Sequence, residues 1–543
     1  MKKIKFLLAT CLAGASLNGM AQTHAEGAEY YRADQFENAK ELLLRNMDNP
    51  NTDKAISNYY LGLIELKNGN NAEAKKCFDQ GVAANAQYAG NYVGLGMLEL
   101  NKGSQKEAEQ YFKDAESYGK KDASVQIAIA RAYYEADAAK YAKEIDKRIE
   151  KARKLNMKDP DIYLFEGDRL ADKKDWGGAG AMYEMAANYD NQTPEAYVKY
   201  ANLFTMVNPD YAIRMLNQLL QNNPNSALGQ REIATAYYNK KDYKNAASQY
   251  AQYVANPNHF KQDEDRYAFL LFYGGDYQQG YDYATKLLNE NPSNFTAQRY
   301  QFMNAAQLPS MKDQILPLAE NLYKAHSANA NNKLAPIDYT LIAEEFSGSG
   351  RRDEAVKVLE EAIKDMPENA NFNKQLAMTY VDAGQISSAA DAFAGYIEKT
   401  EEPSYNDFVQ QATFDYYAAI ESKADAAKSD AYYADAEKYI EKASAAYPGF
   451  YKPIKMKGDI AKQRAAEADV AKAAVPYYTE AIAALEGMDD TSRYANDAKE
   501  MYNYMGNYYL DQKDVPTAKK YFNKYLEYDP NNDAYRKFVD GLQ

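Results

Sequence analysis

Residues 336–367 read PIDYTLIAEEFSGSGRRDEAVKVLEEAIKDMP. Tyr339, Ala343 and Phe346 recur at the three-to-four-residue spacing that places side chains on one face of a helix. Gly350 marks a turn, Ala355, Leu359 and Ala362 repeat the spacing on a second helix, and Pro367 stops it. The same order of residue types returns along the chain: a small residue, Ala twelve positions later, an aromatic or Leu four after that, and a small or aromatic residue three further on. It is carried by Gly62/Ala74/Phe78/Gly81, Gly96/Ala108/Phe112/Ala115, Gly167/Ala179/Tyr183/Ala186 and Ala234/Ala246/Tyr250/Tyr253. Ala343/Ala355/Leu359/Ala362, Ala377/Ala389/Phe393/Tyr396 and Gly506/Ala518/Phe522/Tyr525 complete the set. Gly62 to Gly96, Gly167 to Ala201 and Ala343 to Ala377 are each 34 residues apart. A fixed period of this length signals stacked supersecondary units.

The residue types have a physical reason. Two helices joined by a short turn approach closely only where side chains are small, so Gly96 and Ala108 mark a crossing point. Phe112 then fills the space between one pair and the next. Each unit leaves an apolar face that only its neighbours cover, so stability accumulates by stacking.

These residues resemble the tetratricopeptide repeat family, which implies an all-α fold: a right-handed superhelix of about 13–14 helix pairs, in one or two lobes. Units lose the pattern in residues 294–335, and 326–335 is a polar stretch without apolar period. The expected organisation is a signal segment at 1–21, an N-terminal array at 22–325 and a polar break at 326–335. A C-terminal array at 336–530 and a capping helix at 531–543 follow.

The 543 residues are 46% hydrophobic and 26% charged, with 51 Tyr, one Trp and 17 Pro. That balance describes a folded chain rather than a disordered one. A net charge of −14 argues against nucleic acid, which requires concentrated Lys and Arg. His24, His259, His326, Cys11 and Cys77 are the only His and Cys, too few for zinc, haem or iron–sulfur ligation. No cofactor or metal is expected.

Lys2, Lys3 and Lys5, the apolar run from Phe6 to Leu17 and the small residues Gly19-Met20-Ala21 have the layout of a secretory signal peptide cleaved before Gln22. The run is too short to span a bilayer. An Ala-Gln ending resembles signal peptides of Bacteroidetes-type bacteria, which implies a Gram-negative periplasm. The alternative is an outer-membrane lipoprotein, because Leu8-Ala9-Thr10-Cys11 loosely resembles a lipobox. Membrane association is then expected only through a lipid on Cys11 or through a partner. Cys77, beside Phe78 in an apolar helical pattern, reads as a buried, inert thiol.

No catalytic motif is present: Gly-Xaa-Ser-Xaa-Gly, a phosphate-cradling loop, His-Glu-Xaa-Xaa-His and Cys-Xaa-Xaa-Cys are all absent. The three His read as solvated loop residues. Acidic pairs such as Glu344/Glu345 are adjacent in sequence and fall on different helix faces. The expectation is a protein that is not an enzyme.

What remains is a binding surface. In the family that the repeats resemble, residues three before and one and four after the small position of each first helix line the concave face. That implies Tyr59, Leu63 and Leu66, then Val93, Met97 and Leu100, then Ile127 and Tyr134, with Phe269 and Phe272 further along. Asp161, Asp168, Val198, Asn202, Arg231 and Tyr238 fall at related positions. Apolar residues at these offsets are instead core if the superhelix is tightly wound. Lys452, Lys455, Asp459, Lys462, Glu500, Asn503 and Asn507 give the C-terminal units a polar face, read as solvated surface. No Lys/Asn set in consecutive units matches the clamp with which some family members grip chaperone C-termini. The expected function is a periplasmic scaffold or adaptor binding a protein or peptide partner, in a cell-envelope assembly. The alternative is a lipid-anchored assembly factor supporting barrel insertion or peptidoglycan enzymes.

Overall fold

A computed structural model describes residues 22–543, and the described residues are helical with no strand. The signal-peptide layout and Cys11 lie outside the described residues. Contacts divide the chain into two compact units, one ending at Leu308 and the other running from Pro309 to Gln543.

In the first unit, helices pair in chain order: His24–Arg32 with Phe36–Arg45, Lys54–Lys67 with Asn71–Ala84, Ala89–Asn101 with Gln105–Tyr118 and Ala123–Asp137 with Ala142–Leu155. Pro160–Asp172 with Trp176–Tyr189, Pro194–Phe204 with Pro209–Asn222, Ala227–Asn239 with Tyr243–Val254 and Asp263–Tyr273 with Tyr277–Glu290 continue the series, and Phe295–Ala305 closes it. Pro at the first helical position starts Pro160–Asp172, Pro194–Phe204 and Pro209–Asn222, where the missing N–H would be unpaired anyway. The turns end in left-handed residues such as Gly69, where φ is +78°.

The small positions are where the sequence pattern requires them. A Cβ on Gly62 would stand 2.3 Å from Phe78, and one on Gly96 would stand 2.4 Å from Phe112. Gly167 meets Tyr183 and Gly506 meets Phe522 in the same way. Ala74, Ala108, Ala179, Ala355, Ala377, Ala389 and Ala518 are buried, as are Phe78, Phe112, Tyr183, Leu359, Phe393 and Phe522. Burying one such ring contributes about 1.5–3 kcal/mol relative to leaving it in water. Cys77 is buried and free, and burial pushes its thiol up to about 11, as an inert core sulfur requires.

The second unit opens with Lys312–Ala328 and continues as Pro336–Gly348 with Arg352–Asp365, Ala370–Asp382 with Ile386–Lys399, and Tyr405–Glu421 with Ala426–Ala446. Tyr451–Arg464 pairs with Val475–Glu486, Ala495–Asp511 pairs with Val515–Tyr528, and Asp533–Gly541 packs against the last pair.

The polar stretch 326–335 differs from the break expected there. The helix Lys312–Ala328 runs into it, and His326, read as a solvated loop residue, is buried. Its Nδ1 lies 2.6 Å from Asn332 O and its Nε2 3.2 Å from Tyr339 Oη. Asn332 Nδ2 donates to Ala325 O at 2.8 Å, so polar side chains staple this loop to the preceding helix. The division between units falls earlier, at Leu308 and Pro309, where the chain passes through a short 3-10 turn at Pro309–Met311.

Candidate functional site

The concave positions of the first unit do converge on its axis. Tyr59, Leu63, Ile127, Leu164 and Asp168 line one cavity, but it is small, about 110 Å³. Tyr31, Arg32, Asp34 and Phe36 from the opening hairpin complete its wall. The hairpin fills the axis because its charged residues find partners on helices far along the chain. Arg32 pairs with Asp161 and holds Glu195 at 2.7 Å, and Glu195 is only 2% exposed. Burial raises the Glu195 carboxyl against the pull of Arg32. Lys199 Nζ bridges Asp34 at 2.6 Å and Asp168 at 2.8 Å, and Arg131 holds the other oxygen of Asp168 at 2.8 Å. Burial acts to raise Asp168, but Arg131 and Lys199 outweigh it and hold the carboxyl below its ordinary range. Gln35 donates to Glu232 at 2.6 Å, Arg45 donates to His259 O at 2.9 Å, and Tyr30 meets Phe260 edge to face at 5.3 Å.

The apolar strip expected on the concave face is therefore interior rather than open groove. Leu63, Leu66, Val93, Met97, Leu100 and Phe272 are buried, and Tyr59, Tyr134 and Phe269 are half-buried among other rings. Tyr59 packs on Tyr60, Phe78 and Tyr88, and Tyr134 meets Phe165 edge to face while donating to Asp172 at 2.9 Å. Phe269 packs on Tyr238, Tyr243 and Tyr273. The physical reason is the tight winding of this unit, which places the opening hairpin against helices some 130 to 210 residues away in sequence.

The polar face expected to be solvated at the C-terminal end is so only in part: Glu500 and Asn507 are exposed, while the lysines beside them are tied into ion pairs. Lys455 is buried, with Asp459 at 2.9 Å and Glu500 at 2.7 Å, and Lys462 also holds Glu500, at 3.0 Å. Lys452 holds Asp497 at 2.7 Å.

Part of the concave face is open in the second unit. Thr340, Glu344 and Ser347 of Pro336–Gly348 and Lys374, Gln375, Met378 and Asp382 of Ala370–Asp382 line a groove of about 560 Å³. Met378 is 46% exposed at its centre. Lys374 is anchored by Asp407 at 3.3 Å, and Thr340 donates to Gln375 at 3.3 Å, so the polar rim is fixed. These residues were not singled out from the sequence, although a signal for them was there. The offsets that gave Tyr59 and Met97 give Thr340, Glu344 and Ser347 around Ala343, and Lys374 and Met378 around Ala377.

Among the described residues no group of His, Cys, Asp and Glu is placed to hold a metal ion, and no helix is long and apolar enough to cross a membrane. His24 Nδ1 accepts from the backbone N–H of Asp53 at 2.9 Å, and His259 lies against Glu264 at 3.2 Å.

Asp415, 2% exposed on Tyr405–Glu421, is pushed up to about 8, chiefly by burial. Gln411 Nε2 donates to its Oδ1 at 2.9 Å, while Asp415 Oδ2 and Gln411 Oε1 both lack partners. One proton on Asp415 turns an orphaned acceptor into a donor, so the folded state favours the neutral acid. A carboxyl raised in the fold stabilises it fully below the unfolded value near 3.8, and that contribution is lost as pH rises toward 8. Asp415→Asn removes the titration but keeps an amide in place of the acid. Denaturation of the two proteins from pH 5 to 9 should show the native chain losing stability more steeply.

Two family models, both described as tetratricopeptide repeat, match the chain, one at residues 59–138 and 203–259 and the other at 347–412. No curated protein matches it. Among solved structures, the C-terminal part of a repeat-containing protein from Cytophaga hutchinsonii is 18% identical, with 51% of this chain and 99% of that one covered and a TM-score of 0.39. A tetratricopeptide repeat protein from Parabacteroides merdae is 17% identical, over 47% of this chain and 93% of that one, with a TM-score of 0.33.

Proposed function

We propose that this chain, an all-α array whose matched segments are tetratricopeptide repeats, is a non-enzymatic scaffold that holds a protein or peptide partner in the groove around Met378. The observation that carries the reading is the contrast within the concave faces. At Tyr59 and at Lys455 the axis is filled by the chain's own side chains, whereas at Met378 a flexible apolar residue stands exposed between fixed polar ones. Met adapts its shape to different apolar partners, and a polar rim of Thr340, Gln375 and Lys374 supplies hydrogen bonds to a peptide backbone or side chain. A segment lying across two consecutive first helices would place one apolar residue on Met378.

The layout of residues 1–21 supports export to the periplasm, with a mature chain starting at Gln22 and a role in a cell-envelope assembly. A diacylated Cys11 would make the protein an outer-membrane lipoprotein instead, and the mass of the secreted chain separates the two.

The test is Met378→Glu in a crosslinked pull-down from the native envelope, beside Lys357→Glu on an exposed position of Arg352–Asp365. Met378→Glu should weaken capture at least tenfold, ~1.4 kcal/mol, while stability shifts by no more than ~0.5 kcal/mol. Capture that survives Met378→Glu unchanged removes the groove from the function.

A further inference from the structure

The seam between the opening helix His24–Arg32 and the turn leading into Pro194–Phe204 is not closed along its whole length. A crevice of about 480 Å³ remains there, with Glu29 and Arg32 on one wall, Asp190 and Glu195 on the other, and Tyr60 and Tyr88 beside them. It belongs to the 22–308 unit, whereas the Met378 groove belongs to the second.

The charges of the crevice do not balance. Three carboxylates, Glu29, Asp190 and Glu195, share it with one guanidinium. Arg32 is already engaged by Asp161 and by Glu195 Oε1 at 2.7 Å. Glu195 is buried, yet its Oε2 accepts no hydrogen bond. The half-buried Glu29 carboxyl has neither a hydrogen bond nor an ion pair among the described residues. His24 adds no charge, because its Nδ1 accepts from the Asp53 N–H at 2.9 Å and so carries no proton. Burial, and after it Glu195 and Glu26, pushes the Glu29 carboxyl up to about 8. An acid placed in this way takes up either a proton or a cation.

We propose that this crevice binds a small organic cation through a primary ammonium, with Glu29 and Glu195 as its acceptors and Tyr60 and Tyr88 as an aromatic wall. An ammonium brings three N–H donors to carboxylate oxygens that nothing else occupies, and tyrosine rings favour a cation beside them. A metal ion is a poorer match: no group of His, Cys, Asp and Glu among the described residues is placed to hold one, and the space is far larger than one ion. The site goes beyond partner capture at Met378. A cation bridging Glu29 to Glu195 strengthens the same seam that Arg32 holds. Glu29 must lose its proton to accept an ammonium, so affinity rises with pH through about 8 while an amine is still charged.

The full chain is titrated calorimetrically at pH 6 and pH 8.5 with 1,4-diaminobutane, with Nα-acetyl-lysine N-methylamide and with uncharged 1,4-butanediol. Hydrogen exchange is followed with and without the diamine. An amine should bind once per chain, at least tenfold tighter at pH 8.5 than at pH 6, with protons released at pH 7 and protection gained in residues 22–45. Glu29→Gln keeps the side-chain shape and should weaken binding at least tenfold while the urea midpoint holds or rises. Glu37→Gln removes the same charge from an exposed position of the next helix and should leave binding unchanged. Whichever amine binds more tightly names the source, a free amine or a lysine side chain of a partner. Equal binding of butanediol, or equal losses in Glu29→Gln and Glu37→Gln, overturns the proposal. Absence of amine binding at pH 8.5 also overturns it, by leaving the seam to protons alone.

Discussion

Arg32→Met should lower the stability of the first unit by about 3 kcal/mol and release its opening hairpin. Removing one partner of a buried ion pair costs ~3–5 kcal/mol because the remaining charge stays desolvated. The lower end applies, since the Arg32 side chain keeps 31% of its surface in water. Glu195 is the group left behind: it is 2% exposed, one of its oxygens already lacks a partner, and Asp161 lies on the same guanidinium. Hydrogen exchange should report the release as lost protection first in residues 22–45, whose hold on the axis includes these ion pairs. Adding Glu195→Gln to Arg32→Met should recover part of the loss, since a neutral amide tolerates burial better than an orphaned carboxylate. An unchanged urea midpoint for Arg32→Met, with residues 22–45 still protected, would show that the ion pairs do not hold the hairpin.

Tyr59→Ala combined with Met97→Ala has the other large effect. Met97 is buried and Tyr59 is half-buried against Tyr60, Phe78 and Tyr88. A buried Met cut to Ala costs ~2–5 kcal/mol, lost transfer energy plus the cavity that remains, and the tyrosine adds to it. The double variant should therefore melt well below the native chain, and any loss of partner capture should follow the loss of folded protein. The opposite pattern, full stability with capture abolished, would restore Tyr59 and Met97 to an open groove. Paired with Met378→Glu, where capture should fall and stability hold, the two experiments place the binding face in one unit or the other.

The helix pairs, their small crossing residues and their aromatic plugs are legible in the sequence because they depend on contacts between neighbours. Gly62 must be small because Phe78 is sixteen residues away in the same pair, and the 34-residue period repeats that requirement. The residues of the open groove sit at the same offsets around Ala343 and Ala377 but were not singled out, because the pattern does not say which of these positions stay open. Burial of Cys77 follows from its helix face alone.

Which concave residues face solvent was decided by the tertiary structure. Arg32 and Asp161, Lys199 and Asp34, and Gln35 and Glu232 are partners only after several repeats have stacked. Their meeting depends on the small rotation from each pair to the next, summed over the series. A repeat pattern constrains each step to similar geometry, but it does not encode the sum finely enough to say whether a first helix pair closes on a fifth. The sequence determined the fold because its rules are local, and the tertiary structure decided which part of the concave face stays open because closure is a long-range property of the stack.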